Sequence, residues 1–428
     1  MRGGALAPIG QPPHPNHRPA SGPATLPPKG KGKFQFNLDA AGRKRLRTGE
    51  TFVDFNFTEE QQMVRDGLSR LVREQYDWET RRKAIASASG WRPEIWAQLA
   101  ELGILGMPFA EADGGFGGGA VDAMVIMEEF GKGLVIEPFV PTVVCAGGFL
   151  KHAGTAAQRE EHIGAIVAGT RVFAFAYAEP KGRFDYADLE TSARKDGAGW
   201  VLNGHKAVVI GAPWASHLIV TARTGGERRD RGGVSVFVVE KASAGITTRD
   251  YVTVDGRRAA EVYFENVSLP PEALIGAEGE GLALIELVTD EAIAALCAEA
   301  CGAMKVAHAM TVDYSRQRKQ FGVPIGSFQV LQHRMVDMYT AYESAVSLTY
   351  LATLRLGAEE VERKKAVSAA KVGVGQAARL IGQEAVQIHG GNGVTDEYAI
   401  GHYFKRLTIF DAEFGNVDHH LKRHVALS

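Results

Sequence analysis

The sequence has few cysteines, little net charge and no long apolar runs, and each shortage argues against a class of protein. Its three cysteines, Cys145, Cys297 and Cys301, form no CxxC pair, which predicts small core residues in a reducing compartment rather than a metal site. A formal net charge of -2 gives no basic field for nucleic-acid binding. Because no apolar run could span a membrane and no signal-peptide core begins the chain, we expect a cytoplasmic protein.

The composition is that of an ordinary globular protein. Hydrophobic residues make up 45% and charged residues 23% of the 428 residues, which is too apolar for a disordered chain. A chain of this length can build several packed layers, so it favours a multidomain enzyme over a small module.

The first part of the chain differs from the rest. Residues 1–52 are rich in proline, glycine and basic residues, with no acidic residue before Asp39, and this predicts a disordered leader. The pattern changes at Val53, where a GTG codon would offer an alternative start of translation in bacteria, and Thr58 is placed to cap a helix. A transit peptide is the rival interpretation, but the many prolines argue against a targeting helix.

The remaining chain changes its hydrophobic period twice. Residues 53–170 have a helical pattern, with candidate helices at 59–74, 92–102, 121–131 and 156–168. Residues 171–275 contain short β-rich runs flanked by the turn pairs Asp196-Gly197, Asn203-Gly204 and Asp255-Gly256, which predict an antiparallel β domain. Residues 276–428 return to the helical period, with long segments at 282–317, 328–356, 359–387 and 411–424.

Two phrases in the last third carry chemistry. The first runs from Tyr314 to Ile325 and reads YSRQRKQFGVPI, followed by Phe328-Gln329; the second is QIHGGNG, from Gln387 to Gly393. An arginine fork suits a diphosphate, and paired glycines let a backbone approach close enough for its N–H groups to bind oxygen.

Together these phrases resemble the C-terminal signature of the acyl-CoA dehydrogenases. The resemblance implies an α+β multidomain fold with an N-terminal helical domain, a middle antiparallel β-barrel domain and a C-terminal four-helix-bundle domain. It also implies FAD, an acyl-CoA substrate, α,β-dehydrogenation to the 2-enoyl-CoA, and electron transfer to an electron-transfer flavoprotein. The positions that it assigns to the pyrophosphate and adenosine side of FAD, at a boundary between subunits, are Arg318, Phe321, Gln329, Gln387, Gly390 and Gly391.

Blander interpretations exist for each phrase alone. Arg318 would be a solvated charge at a helix end, and Gly390-Gly391 a helix C-cap. The two phrases occur together, in this order and after a β domain. This argues against reading them as an unrelated solvated arginine and helix C-cap. Residues 115–120 also fit the dinucleotide pattern GxGxxA, but Pro108 breaks the preceding apolar run and no strand–helix series follows, which disfavours a Rossmann fold.

Weaker phrases support the resemblance along the chain. Residues 108–117 are similar to the family's loop after the early helices, Glu179-Pro180 to the end of a flavin-contacting strand, and the segment from Asn203 to Lys206 to a hairpin that is common there. Neither His389 nor the His419-His420 pair has neighbours at metal-ligand spacing, so no metal is expected.

The catalytic base is not where the family usually has it. Proton abstraction from the α-carbon needs a carboxylate, and relatives place a Glu directly before a Gly-Thr near the C-terminus. Here Phe414 precedes Gly415, and Glu413 is one residue out of register, about 100° away on a helix. Counting back from Tyr314 places the position that other relatives use at Ala292, beside Asp290 and Glu291. Either acid is a candidate base, although both could simply decorate the first turns of a helix.

The positions that contact the flavin ring in relatives are altered as well. Ala178 stands where a hydroxyl residue is usual, Arg183-Phe184-Asp185 replaces Gly-Ser-Asp, and Val208-Val209-Ile210 replaces Trp-x-Thr. This asymmetry favours a chain that supplies the adenosine half of the site to a partner chain in an α2β2 tetramer, similar to the small subunit of pimeloyl-CoA dehydrogenases. A self-sufficient homotetramer, a catalytically silent assembly partner, and oxidase or flavin monooxygenase chemistry remain alternatives. The sequence does not specify the acyl chain.

Overall fold

The computed structural model describes residues 57–428 and, before them, three short strands. These are β1 (Phe36–Leu38), β2 (Lys44–Thr48) and β3 (Thr51–Val53), which pair antiparallel in the order β1-β2-β3. The predicted disordered leader, residues 1–52, otherwise lies outside the described residues, and its disorder stays a prediction.

The N-terminal part of the main unit is helical. Thr58 caps the first helix through a reciprocal pair of hydrogen bonds with Gln61, each 3.1 Å long, as the sequence predicts. The four predicted helices are present, but α2 and the segment after residue 139 were missed, since prolines and glycines interrupt the latter and burial stabilises it instead. The elements are α1 (Glu59–Gln75), α2 (Trp78–Ala86), α3 (Pro93–Glu101), α4 (Ala120–Gly133), a π-helical segment (Val140–Ala146), α5 (Gly147–Ala153), α6 (Ala156–Gln158), a second π-helical segment (Arg159–Ile163) and α7 (Gly164–Val167).

The middle part is a β-sheet, and here the structure corrects the prediction that its strands are all antiparallel. The hydrogen-bonded strand order is β11-β8-β7-β5-β6-β10-β9, an open path, and β4 pairs with β7 in parallel. The sheet is therefore mixed, because the chain crosses over between β4 and β7 instead of turning back in a hairpin. Its strands are β4 (Phe173–Ala176), β5 (Ser192–Asp196), β6 (Gly199–Ile210), β7 (His217–Arg223), β8 (Val234–Glu240), β9 (Ile246–Val252), β10 (Arg258–Leu269) and β11 (Leu274–Ile275).

The C-terminal part is helical, with α10 packed against all the other helices of this part. Its three long helices lie where the period predicts them. The prediction of one last helix over 411–424 was wrong at its start, because a break at residues 413–416 separates two helices there. The elements are α8 (Gly281–Gln317), β12 (Lys319–Gln320), β13 (Val323–Pro324), α9 (Gln329–Arg355), α10 (Glu360–His389), α11 (Ile400–Ala412) and α12 (Val417–Ala426).

The two helical parts meet at a crossing of α4 and α8 that requires glycine. A Cβ atom on Gly131 would lie 1.9 Å from the carbonyl oxygen of Glu299, and one on Gly302 would lie 2.0 Å from that of Glu128. These distances are far below van der Waals contact, so the backbones touch and neither position accepts a side chain. The crossing fixes α8, which packs against the π-helical segment Val140–Ala146.

We expect Gly302→Ala to lower the free energy of unfolding by about 1–3 kcal/mol, because the helices must separate to admit a methyl group. Denaturant unfolding followed by circular dichroism measures this. Gly67→Ala is the matched control, since it is also helical and its added Cβ meets no atom within 4 Å; it should be neutral or stabilising by about 0.4–1 kcal/mol. Equal unfolding midpoints for the two variants would contradict the close crossing.

Candidate active site

A cavity of about 300 Å³ lies between the β-sheet, the first π-helical segment and the C-terminal end of α11. The sheet contributes Phe175 and Tyr177, the π-helical segment contributes Cys145, and the α11 end contributes Glu413 and Phe414. Most of the wall is apolar, so the few charged groups that face the cavity define its chemistry. The other lining residues are Val140, Pro141, Ala178, Arg183, Phe184, Val208, Ile210, Thr253, Arg257, Ile409 and Ala412.

The backbone around this cavity is strained. Three of the six non-glycine residues that adopt a left-handed backbone in the described part of the chain line it: Arg183 with φ 48°, Val208 with φ 52° and Phe414 with φ 54°. Such a conformation costs about 1–2 kcal/mol for a residue with a Cβ, and it is rarest for a β-branched residue such as Val208. Strain concentrated in one place indicates a functional site rather than a random packing fault.

The strained segment after α11 is held by buried polar groups. Lys371 is fully buried, lies 3.7 Å from the ring centroid of Phe410 and donates a hydrogen bond to the carbonyl of that residue. The Nε2 atom of His420 lies 2.9 Å from the carbonyl oxygen of Phe414. Burial lowers the pKa of His420 to about 3, so this imidazole is neutral and Nε2 carries the donated proton. These contacts keep Phe414 in its strained conformation, stacked on Tyr177 at 5.1 Å.

Glu413 faces the cavity from within a buried network of charges. Its two carboxylate oxygens accept hydrogen bonds from different arginines, Arg257 at 2.6 Å and Arg406 at 2.8 Å. Arg406 also binds Glu299 at 2.6 Å, and Arg257 binds Asp255 at 2.9 Å. The network joins α8, α11 and the turn between β9 and β10, so it links the helical parts to the sheet.

The network sets the ionisation of its carboxylates. Burial raises the pKa of Glu413, but Arg257 and Arg406 lower it by more, so the net pKa lies below its ordinary value. Burial also opposes ionisation of Asp255, and the same two arginines outweigh it, so the pKa of Asp255 is lowered to about 2. A carboxylate held in this way is a weak base at neutral pH.

The other two predicted carboxylates lie away from the cavity. Asp290 is fully buried between Arg363, at 3.1 Å, and Arg423, at 2.7 Å. Glu291 pairs with Lys151 and His152, both at 2.9 Å, beside a separate cavity of about 50 Å³. Of the three candidates for the base, the structure brings only Glu413 to the 300 Å³ cavity.

The altered ring-side positions converge on the cavity, as the resemblance implies. Ala178, Arg183, Phe184, Val208 and Ile210 all line it. Apart from Arg183, these replacements leave apolar side chains where hydroxyl and indole groups are usual in the family, so little side-chain hydrogen bonding remains for a flavin ring. The residues present fit this half of FAD poorly.

Two of the weaker sequence phrases meet in one buried ion pair. Lys206 is fully buried, and its ammonium lies 2.7 Å from a carboxylate oxygen of Glu179. The same carboxylate accepts the backbone N–H groups of Glu190, at 2.6 Å, and Thr191, at 3.0 Å. The pair therefore fixes the loop of residues 180–191, which carries Arg183 and its aromatic neighbour to the cavity.

The predicted adenosine-side residues lie together at one end of the helical part. Tyr314 of α8 stacks on His389 of α10 with ring centroids 4.4 Å apart, so the two sequence phrases meet there. All six predicted residues are exposed to solvent: Arg318, Phe321, Gln329, Gln387, Gly390 and Gly391.

This surface fits a nucleotide diphosphate. Gly390 has a φ of 58°, and a Cβ built on Gly390 or Gly391 would meet no atom within 4 Å, so the backbone is open to a ligand. His389 is buried beside it, with Nδ1 2.7 Å from the carbonyl oxygen of Ala385 and Nε2 without a hydrogen-bond partner. Arg318 forms no ion pair with any residue that the structure describes, which leaves its fork free for an anion.

Among the described residues, no group of three or more His, Cys, Asp or Glu side chains could hold a metal ion. No helix in this part of the chain combines the length and apolarity needed to cross a membrane. The three cysteines are buried and unpaired, as expected for core residues.

The fold thus has three parts in chain order, a helical part, a mixed sheet and a second helical part, with a cavity at their junction. Family models match all three parts: "Acyl-CoA dehydrogenase, N-terminal domain" over residues 58–170, "middle domain" over 174–267 and "C-terminal domain" over 279–423. The chain belongs to the acyl-CoA dehydrogenase family, whose members are FAD-dependent oxidoreductases.

Individual relatives agree with this assignment. The chain is 29% identical to the probable acyl-CoA dehydrogenase YngJ of Bacillus subtilis, over 81% of this chain and 92% of the relative. Butyryl-CoA dehydrogenase from Megasphaera elsdenii has a similar structure, with a TM-score of 0.80 and 26% identity over 87% of this chain and 99% of that one. A variant of the Tcur3481-Tcur3483 steroid ACAD is similar with a TM-score of 0.78 and 28% identity, over 86% and 97%.

We expect Lys206→Met to lower the free energy of unfolding by about 3–5 kcal/mol, because it leaves the Glu179 carboxylate buried without its cation. Chemical denaturation provides the measurement. Lys195→Met is the control: its ion pair with Glu278 is 2.6 Å long but exposed, so the change should stay within about 0.5 kcal/mol. Similar losses of unfolding free energy in both variants would show that burial does not determine how much the Lys206–Glu179 pair stabilises the fold.

Proposed function

We propose that this chain is a subunit of an acyl-CoA dehydrogenase that removes hydrogen from the α and β carbons of an acyl-CoA thioester and yields the 2-enoyl-CoA. The enzyme passes its electrons to an electron-transfer flavoprotein. Within an α2β2 tetramer, this chain supplies the adenosine side of each FAD site, and the partner chain supplies the ring side and the base.

One observation supports this proposal: the residues of this chain suit the adenosine side of FAD better than its ring side. The one candidate base that lines the 300 Å³ cavity, Glu413, is bound by two guanidinium groups, at 2.6 and 2.8 Å. The ring-side positions around it hold Ala178, Val208 and Ile210. The surface around Arg318 and Gly390 is open and exposed by contrast.

The residues of this surface have distinct roles in the proposed site. Arg318 binds the diphosphate through parallel N–H groups, and the open backbone at Gly390 and Gly391 offers further donors. The amides of Gln329 and Gln387 supply mixed donors and acceptors for the nucleoside. Bound FAD supplies the hydride acceptor for the reaction, in a position that the partner chain completes.

The structural relative with a two-part name supports a heteromer, because the Tcur3481-Tcur3483 steroid ACAD is named for two chains. A second candidate is a self-sufficient homotetramer in which Glu413 is the base, and the position of Glu413 at the cavity favours it. The flavin content of the chain purified alone distinguishes the two candidates.

We expect the chain purified alone to hold little FAD and to fill when it is co-expressed with the dehydrogenase-like chain that is its partner. In that complex, Arg318→Ala should reduce bound flavin at least about tenfold, since a charge-assisted bidentate contact is lost. Visible absorbance of bound flavin is the measurement. Arg316→Ala, which removes an exposed arginine from the same helix end, should leave flavin content unchanged.

A content of about one FAD per chain in the protein purified alone would contradict the half-site and support the homotetramer. If Arg316→Ala and Arg318→Ala lose flavin equally, the effect belongs to general charge rather than to the proposed diphosphate contact.

We also expect Glu413→Gln to leave the turnover number of the folded complex within about twofold, because the base belongs to the partner chain. Steady-state reduction of an artificial electron acceptor by a panel of acyl-CoAs measures it. If Glu413 is the base, its loss should reduce turnover by a factor on the order of 10²–10⁴.

A further inference from the structure

The turn between β9 and β10 carries an arginine into the interior. Thr253 and Arg257 close the turn, with the backbone N–H of Thr253 bonded to the carbonyl of Arg257 at 2.9 Å. Gly256 adopts a φ of 88°, and a Cβ there would lie 2.8 Å from Ile85 of α2, so the tip of the hairpin is packed against the N-terminal helices. The hairpin is thus a rigid arm that ends at the cavity.

Arg257 stands at the end of this arm with both sides of its guanidinium engaged. Its Nε donates to Asp255 at 2.9 Å and its Nη2 donates to Glu413 at 2.6 Å. Its side chain is 13% exposed. It also lines both the 300 Å³ cavity and a smaller one of about 30 Å³ on the side of Glu299.

Each oxygen of the Glu413 carboxylate therefore has a guanidinium partner: Oε1 accepts from Arg257 and Oε2 accepts from Arg406. Each oxygen keeps a second lone pair. A proton on either one would nonetheless cancel the negative charge to which both guanidinium groups donate, and it would weaken two charge-assisted hydrogen bonds, which are among the strongest in proteins.

We infer that Arg257 is a positioning residue that holds Glu413 as an ion-pair partner and so prevents it from taking a proton from a thioester in this cavity. The inference rests on the proposed function, which gives the base to the partner chain and so requires that the carboxylate at this cavity does not act as one. It explains how a carboxylate can face the cavity of a dehydrogenase-family chain without serving as its base.

The suppressed step is simple to write. The C–H bond at the α-carbon breaks, its electron pair stays on the thioester as an enolate, and an O–H bond forms on the carboxylate. In heavy water the carboxylic acid exchanges its proton for a deuteron and returns it to the α-carbon. The cycle needs no oxidant, so exchange of the α-hydrogen reports proton transfer without flavin.

Removal of Arg257 should free Oε1 while the surroundings stay buried. Burial would then raise the pKa of Glu413 against one neighbouring arginine fewer, so Glu413 would be a stronger base. The charged and titratable groups that surround this carboxylate are Asp255, Arg257, Arg406, Glu299, Lys371, Cys145 and Tyr177.

The test is α-hydrogen exchange of butyryl-CoA in heavy water, followed by mass spectrometry with the full chain alone. The unsubstituted protein should give no exchange above buffer. Arg257→Met should raise the rate by a factor on the order of 10², and Arg257→Met with Glu413→Gln should abolish the gain. Arg257→Lys, which keeps a cation, should stay below a tenth of the Met variant.

Exchange by the unsubstituted protein at the rate of Arg257→Met would overturn the inference, as would an absence of exchange in the folded Met variant. If Arg257→Met does not fold, infrared difference spectra between the unsubstituted protein and Glu413→Gln decide. They should show an ionised carboxylate at and below the ordinary pKa of glutamate, and a protonated acid there would refute the inference. None of these readouts involves flavin, so failure here is distinct from failure of the half-site, which flavin content reports.

Discussion

The structure depends on a buried cluster of charges where its three parts meet. Glu413 at the end of α11, Glu299 on α8 and Asp255 at a hairpin tip are bound by Arg257 and Arg406. Removing one member would leave a buried charge without its partner, which is strongly unfavourable. The cluster therefore fixes the hairpin, α8 and α11 relative to one another, and with them the walls of the cavity. The same contacts that stabilise the domain junction also weaken the cavity's carboxylate as a base.

This double role explains the asymmetry of the molecule. At the adenosine end, the structure leaves Arg318 exposed and unpaired among the described residues, next to glycine backbone that is open to solvent. At the ring end, polar groups are either committed to the charge cluster or replaced by apolar side chains such as Ala178 and Ile210. In the α2β2 enzyme that we propose, each chain needs to keep only its own half of the flavin site, and this chain supplies the nucleotide half.

Sequence patterns predicted the long elements well because those elements have strong periods and clear caps. Helices α8, α9 and α10 follow from periodicity, and Thr58 follows from its capping pattern. The location of Glu413 did not follow, because the expected displacement of about 100° assumed a continuing helix. In fact α11 ends at Ala412, and Glu413 has φ -80° and ψ 126°, which turns its side chain into the cavity. The role of Arg257 was not predicted either: the Asp255-Gly256 turn was recognised, but its partners are separated from it by about 150 residues of sequence.

We propose that each FAD of the assembled enzyme combines the nucleotide half of this chain with the ring half of another. The ratio of FAD to protein chains in the intact native complex tests this, from flavin absorbance together with the mass of the assembly. We expect an α2β2 tetramer with two FAD molecules. A tetramer of this chain alone with four FAD molecules would contradict it.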